Sequence, residues 1–267
     1  MSFWETLDPR FRLILCDIWG VVHDGVQLYQ GAAERLLQWR REGRFVVLIT
    51  NAPRTAEAVE AQLDRLGLPR EAYDAVATSG EAGIAALGAL GRAVGFLGTA
   101  ADRAILEGRG IAIADDRAFT DLACSGLDEH RARIEDYRAD LERWAARGVR
   151  MHCLNPDRVV VRGGVPEPCA GALADVYEAL GGRVTWYGKP YDAIYGFALD
   201  CAGDPPKDAV LAVGDALQTD ALGAARHDLA FVFVQGGIHA GEPFPEDFAA
   251  RYGLGDWRPV AVVDSLR

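Results

Sequence analysis

The sequence contains no apolar run that approaches the roughly 18 residues of a membrane-spanning helix. Residues 1–11 also lack the apolar stretch of a signal peptide. The five cysteines are scattered and form no CxxC pair, and no histidine pattern such as HExxH suggests a zinc site. These absences predict a protein without a membrane span that works in a reduced, cytoplasmic setting.

An excess of positive charge is also missing. Lysine and arginine total 28 against 39 for aspartate and glutamate, which gives a net charge of −11. This balance argues against binding to nucleic acid or to a membrane surface. An anionic substrate remains compatible with it, because a bound metal ion can reverse the local field. Neither GxGxxG after a strand nor GxSxG occurs, so nicotinamide-dependent dehydrogenases and serine hydrolases have no support.

Short apolar runs alternate with helical patterns along most of the 267 residues. This alternation predicts an α/β protein with a doubly wound, mostly parallel sheet. The strands are expected at 11–17, 44–51, 184–188, 209–215 and 230–237, and the helices at 31–42, 55–67, 191–201 and 217–227.

The middle of the chain repeats the α/β alternation with elements of its own. We therefore expect residues 79–181 to form an inserted α/β domain between two parts of a core, 1–78 and 182–267. Within the insertion the patterns predict a strand at 92–98 and a helix over 127–148. Two further strands are expected on either side of an Asn-Pro turn at 155–156.

Four predicted strands are each followed by a polar residue at the carboxyl end, where open α/β sheets bind ligands. These residues are Asp17, Thr50, Lys189 and Asp215, and Asp220 follows five positions after the last. Carboxylates for a hard cation, with a hydroxyl and an ammonium for phosphate oxygens, suit phosphoryl transfer. Each residue alone is ordinarily a turn former, a helix cap or a solvated lysine, so the prediction depends on the ordered set.

The order of these motifs resembles that of the haloacid dehalogenase superfamily, which comprises hydrolases with an aspartate nucleophile. The matching stretches are DIWGVV (17–22), LITN (48–51), GKP (188–190) and VGDALQTDALGA (213–224). The additional DG at 24–25 and NPD at 155–157 are similar to the class IIA branch, the NagD and p-nitrophenyl-phosphatase group. The resemblance covers nearly the whole chain.

The resemblance implies a Rossmann-like core and a Mg²⁺-dependent phosphatase that acts on a small phosphorylated metabolite. Asp17 would be the nucleophile that becomes an aspartyl-phosphate, and Thr50 and Lys189 would hold the phosphoryl oxygens with support from Asn51. The metal ligands would be the carboxylates of Asp17 and Asp215 and the backbone carbonyl of Trp19. Asp220 would orient Lys189 or a water molecule on the metal.

By the same resemblance, residues 79–181 would be a type-two cap that selects the leaving group and can mediate a homodimer. Asn155 and Asp157, in a loop of this segment, are candidates for contact with the substrate. A plain turn between two strands is an equally open interpretation of both residues.

Trp19 departs from the family pattern. Phosphatases of the superfamily usually have an aspartate there, which protonates the leaving oxygen and then activates water, and tryptophan can do neither. Trp19 could instead be an aromatic wedge between cap and core. His23 could partly replace the missing acid, because the ordinary pKa of histidine is near neutrality, or could be a packing residue, and His239 has the same status.

This departure leaves two other functions open. One is a catalytically weakened phosphate-binding or regulatory relative, and the other is carbon–halogen hydrolysis by Asp17. The retained Asp17, Lys189 and Asp215 favour a phosphatase over both.

Overall fold

The computed structural model describes residues 3–114, 118–162, 165–236 and 243–267. In chain order its strands are β1 (Leu13–Asp17), β2 (Phe45–Thr50), β3 (Ala75–Thr78), β4 (Gly95–Leu97), β5 (Asp121–Cys124), β6 (Arg150–Cys153), β7 (Val159–Arg162), β8 (Val165–Pro168), β9 (Arg183–Trp186), β10 (Val210–Gly214), β11 (Ala230–Val234) and β12 (Ala261–Val263). Its helices are α1 (Ala32–Arg41), α2 (Ala56–Arg65), α3 (Ser79–Ala89), α4 (Ala100–Gly108), α5 (Arg138–Ala146), α6 (Ala170–Ala179), α7 (Asp192–Cys201), α8 (Leu222–Arg226) and α9 (Phe248–Tyr252).

The chain divides into two compact units. The first unit consists of Met1–Thr50, Ala56–Ala77 and Tyr195–Arg267, and the second of Asn51–Thr55 and Thr78–Ile194. Among the helices that the structure describes, none has both the length and the apolar character needed to cross a membrane.

The first unit is built on a six-stranded sheet in the order β12-β11-β10-β1-β2-β3. The pairs from β12 to β2 are parallel, and all five residues of β1 are buried. An uninterrupted buried run such as LILCD is typical of a parallel strand that is covered on both faces. The predicted fold class, a doubly wound and mostly parallel α/β sheet, is therefore confirmed.

The register of this sheet aligns the carboxyl ends of its three central strands. Asp17 of β1 pairs with Ile49 of β2, one residue before Thr50, and Cys16 pairs with Val213 of β10, two residues before Asp215. Parallel strands end at the same edge, so this edge carries Asp17, Thr50 and Asp215 as a consequence of the strand order.

The second unit contains a parallel four-stranded sheet in the order β4-β5-β6-β9 and a two-stranded antiparallel sheet, β7-β8. The sequence pattern groups 184–188 with the core strands, but β9 pairs with β6 here, with Trp186 opposite Cys153. Val184 and Trp186 pack against the hydrophobic cluster of this unit, which accounts for the placement. The division of the chain at 79–181 stays a prediction about separate folding.

The helix predicted over 127–148 is wrong in its first half. Only a 3₁₀ turn, Ile134–Tyr137, and α5 are helical there. The side chain of Asp128 accepts hydrogen bonds from the backbone N–H groups of His130 and Arg131, both at 2.9 Å. The hydroxyl of Tyr137 accepts from the Asp128 N–H at 2.7 Å and donates to the Arg131 carbonyl at 2.9 Å. These local bonds engage backbone groups that a helix would use.

Candidate active site

Three carboxylates meet at the carboxyl edge of the first unit's sheet. Asp17 ends β1, Asp215 directly follows β10, and Asp220 lies in a wide helical turn, Leu217–Ala221. All three are buried, and one oxygen of each lies within 4.8 Å of the others. The structure thus brings together three of the residues that the sequence predicts for the site.

The turn that carries Asp220 holds its side chain in place. Asp220 Oδ2 accepts a hydrogen bond from the Ala216 N–H at 3.2 Å and another from Thr219 Oγ1 at 3.4 Å. The five-residue turn has π-helical geometry and leads directly into α8. Such wide turns recur at functional sites, because the extra residue redirects a side chain.

Gly20 is a residue of this site that the sequence reasoning missed. Its backbone has a φ of +87°, and a Cβ atom placed on it would lie 2.0 Å from Asp215 Oδ2. Only glycine permits the chain to pass this close to the carboxylate without displacing it. The only signal in the sequence is a glycine three residues after Asp17.

The three side chains fit a small, hard divalent cation. Mg²⁺ prefers oxygen ligands and is commonly bound by one or two carboxylates. Buried carboxylates within 4.8 Å repel one another, and a divalent cation between them relieves that repulsion. Trp19 directly precedes Gly20, whose backbone lies against Asp215, but coordination by the Trp19 carbonyl stays a prediction.

Trp19 and His23 lie in the loop that follows β1. The rings of Trp19 and His23 meet edge to face, with centroids 5.5 Å apart and an interplanar angle of 83°. His23 is only 3% exposed, and its Nδ1 accepts a hydrogen bond from the Gly25 N–H at 2.9 Å. This bond places the proton of the neutral ring on Nε2.

Burial lowers the pKa of His23, and a contact with its own backbone and the charge of Asp24 oppose this only in part. The neutral imidazole is a weaker proton donor than the imidazolium that a general acid requires. The environment of His23 therefore does not favour the predicted replacement of the missing acid. His239 lies outside the described residues.

In the second unit, Asn51 fixes the backbone of Lys189. Asn51 Oδ1 accepts from the Lys189 N–H at 2.6 Å, and Asn51 Nδ2 donates to the Lys189 carbonyl at 3.3 Å. The same Nδ2 donates to Asp157 Oδ1 at 2.8 Å. Lys189 is buried and follows β9, so one of the four strands that precede the predicted site residues lies in the second unit's sheet and not beside the other three.

The NPD loop is held by its own side chains. Asn155 Oδ1 accepts a hydrogen bond from the Asp157 N–H at 3.1 Å, which closes a tight turn of the kind that asparagine favours. Asp157 in turn accepts from Asn51. Both residues therefore have a structural part in the loop, and their contact with a substrate stays a prediction.

Comparison with known proteins shows which families and solved structures this chain is similar to. A family model described as haloacid dehalogenase-like hydrolase matches residues 14–112, and a HAD-hydrolase-like model matches residues 186–267. No curated protein sequence matches. A haloacid dehalogenase-like hydrolase from Brucella suis 1330 is 33% identical, with coverage of 98% of each chain and a TM-score of 0.84.

Two other solved structures are 25% identical, each with a TM-score of 0.74. NagD from E. coli K-12 aligns over 96% of this chain and 97% of its own. A glycerol phosphate phosphatase from Mycobacterium tuberculosis, in complex with magnesium, aligns over 100% of this chain and 78% of its own.

The parallel sheet and the three carboxylates at its edge define a doubly wound α/β protein with a candidate metal-binding site. The chain belongs to the haloacid dehalogenase-like hydrolase family. The predicted resemblance to the class IIA, NagD-like branch is confirmed, and so is the prediction of an enzyme of the phosphatase type.

Proposed function

We propose that this phosphatase-type hydrolase depends on Mg²⁺ and cleaves a small phosphorylated metabolite through an aspartyl-phosphate on Asp17. The observation that carries the proposal is the buried cluster of Asp17, Asp215 and Asp220, with one oxygen of each within 4.8 Å of the others. Binding of phosphate alone would not require a potential nucleophile in so acidic a site. The magnesium complex of the glycerol phosphate phosphatase adds support for the cation.

The proposed cation is held by Asp17, Asp215 and the backbone carbonyl of Trp19. When bound, it neutralises charge on these carboxylates and on the phosphoryl oxygens of the substrate, so that an anionic nucleophile can approach an anionic ester. Asp220, which the turn at 217–221 holds next to Asp17 and Asp215, orients the groups around them.

In the first step an oxygen of Asp17 attacks phosphorus. The new O–P bond forms as the bond from phosphorus to the ester oxygen breaks, and the electron pair leaves with that oxygen. Thr50 and Lys189 are proposed to hold the phosphoryl oxygens. Asn51 supports Lys189 through its two hydrogen bonds to the Lys189 backbone.

In the second step a water molecule attacks the same phosphorus atom. The bond from phosphorus to Asp17 breaks, its electron pair returns to the carboxylate, inorganic phosphate departs, and the proton of the water passes to solvent. With tryptophan at position 19, no carboxylate assists the removal of that proton. We expect the aspartyl-phosphate to persist longer for this reason.

Trp19 also sets which esters react well. A positioned general acid contributes about 10²–10⁴ in rate, or roughly 3–5 kcal/mol of barrier. The leaving oxygen here departs without a proton, so substrates whose leaving group is stable as an anion are favoured. The second candidate function, a weakened phosphate-binding relative, depends on this same substitution.

Two expectations from the resemblance are retained as proposals. Residues 79–181 act as the cap that selects the leaving group, with Asn155 and Asp157 as candidates for substrate contact. The same segment mediates a homodimer, which size-exclusion chromatography with light scattering tests directly.

The enzymatic proposal is tested by phosphate release from a panel of phosphate esters with and without Mg²⁺. We expect turnover that is lost on chelation of the metal and restored by Mg²⁺. Asp17→Asn is nearly isosteric and should abolish turnover while the fold stays intact by circular dichroism. Wild-type activity in a folded Asn variant would contradict the assignment of Asp17, and binding of phosphate without turnover would favour the weakened relative.

A further inference from the structure

Trp19 is the most exposed of the six tryptophans, with 39% of its surface accessible. It lies two residues beyond the proposed nucleophile. The next residue, Gly20, has its backbone against the carboxylate of Asp215. An exposed indole therefore lies two residues from Asp17, and the residue that follows it contacts Asp215.

The indole is held in one position by the loop around it. A Cβ atom on Gly25 would lie 2.3 Å from the Trp19 ring, so the ring rests on the bare backbone of that glycine. The ring edge contact with His23 adds a second support. The loop is itself closed by bonds from the Gly20 N–H to the His23 carbonyl at 3.0 Å and from the Tyr29 N–H to the Val22 carbonyl at 2.9 Å.

We propose that the exposed face of Trp19 is a platform for a planar aromatic leaving group, which makes Trp19 a specificity-determining residue. The substrate class would be phosphate esters of aromatic or heteroaromatic hydroxyl groups. This inference rests on the proposed function, because it assumes that the phosphoryl group binds at Asp17.

Two physical effects of one side chain favour this class. An aromatic ring stacks on an indole with a gain beyond simple burial, and a ring that is already fixed loses little freedom when it binds. An aromatic oxygen also leaves as a delocalised anion, which needs no proton from the enzyme. Trp19 cannot protonate a leaving group, and the aromatic leaving groups that would stack on it need no proton.

The test compares 1-naphthyl phosphate with acetyl phosphate. Both leaving groups depart readily as anions, but only the first has a ring to stack. The variants are Trp19→Leu, which removes the aromatic face, and Trp19→Phe, which keeps a smaller one. Val26→Ala is the matched control, because Val26 is in the same loop and 83% exposed.

We expect Trp19→Leu to raise KM for 1-naphthyl phosphate about tenfold and KM for acetyl phosphate about twofold or less. Trp19→Phe should fall between Trp19→Leu and the wild type, and Val26→Ala should change neither constant. An equal rise for both substrates in Trp19→Leu would overturn the platform. If the wild type hydrolysed neither substrate with Mg²⁺, the proposed function itself would fail, which is a distinguishable result.

A second measurement on the wild type does not depend on the folding of any variant. Phenylphosphonate and cyclohexylphosphonate are similar in size and are not hydrolysed, but only phenylphosphonate is planar. We expect phenylphosphonate to inhibit with a constant about three- to tenfold lower. Equal inhibition by the two compounds would overturn the proposal.

Discussion

Replacing Gly20 with alanine tests whether the close approach of the chain to Asp215 maintains the proposed Mg²⁺ site. The new Cβ would lie 2.0 Å from Asp215 Oδ2 and 2.6 Å from its Cγ. Either the backbone at residue 20 or the side chain of Asp215 must therefore move. The nearest atoms belong to the end of a side chain, which moves more easily than backbone. We therefore expect the carboxylate of Asp215 to be displaced while the fold survives.

The cost divides into two parts. A left-handed backbone conformation costs an alanine about 1–2 kcal/mol of stability. The same cost applies wherever alanine replaces a glycine in that conformation. Displacement of Asp215 should weaken Mg²⁺ binding by about 10–100-fold, the range found when the groups that orient metal ligands are lost. Gly43→Ala is the matched control, because Gly43 has a φ of +80° and no atom within 4 Å of the added Cβ.

Calorimetric titration with Mg²⁺ and thermal melting on the wild type and both variants separate the two parts. Gly20→Ala should lose at least as much stability as Gly43→Ala, and only Gly20→Ala should lose Mg²⁺ affinity. Wild-type affinity in Gly20→Ala, or an equal loss of affinity in Gly43→Ala, would refute the reasoning.

Three other outcomes are expected. Trp19→Asp should raise the turnover of alkyl phosphates if the new carboxylate reaches the leaving oxygen, and an unchanged ratio of alkyl to aryl rates in a folded variant would count against this role of position 19. Burial acts to raise the pKa of Asp121, but hydrogen bonds from His152 and Arg92 hold it at about 2. The carboxylate therefore adds about 2 kcal/mol of stability above pH 4 that is lost as pH falls toward 2. Asp121→Asn should therefore lower the free energy of unfolding in urea more at pH 7 than at pH 3. An equal loss at the two pH values would contradict this prediction. Replacement of residues 79–181 by a short linker should give a protein that folds but is less stable, because β9 loses its neighbour β6. Failure to fold, measured by circular dichroism, would argue for one integrated domain.

Whereas the edge strands β3 and β12 were missed, four strands of the first unit's sheet (β1, β2, β10 and β11) could be predicted from the sequence because they are mostly buried. Such strands appear as unbroken apolar runs, and the residues after them are brought to one edge by parallel pairing. The meeting of Asp17 with Asp215 follows from that rule once β1 and β10 are neighbours in the sheet. Family resemblance added the roles of these residues, which spacing could not supply.

The parts that could not be predicted depend on tertiary contacts. A pattern such as VTWYG at 184–188 indicates a strand but does not say which sheet it joins. Packing of Val184 and Trp186 in the second unit decides that. The helical pattern at 127–148 is interrupted by side-chain bonds of Asp128 and Tyr137 that periodicity does not reveal. The part played by Gly20 depends on a carboxylate almost 200 positions later in the chain.

Covalent catalysis by Asp17 is the central step of the proposed mechanism. Rapid acid quench during turnover of 4-nitrophenyl phosphate with Mg²⁺, followed by intact-protein and peptide mass spectrometry, measures the intermediate itself. We predict up to one phosphoryl group per chain, located on Asp17 and absent from Asp17→Asn, with nitrophenolate released in a burst ahead of inorganic phosphate. Steady turnover with no phosphorylated protein, or with the phosphoryl group on another residue, would contradict the account.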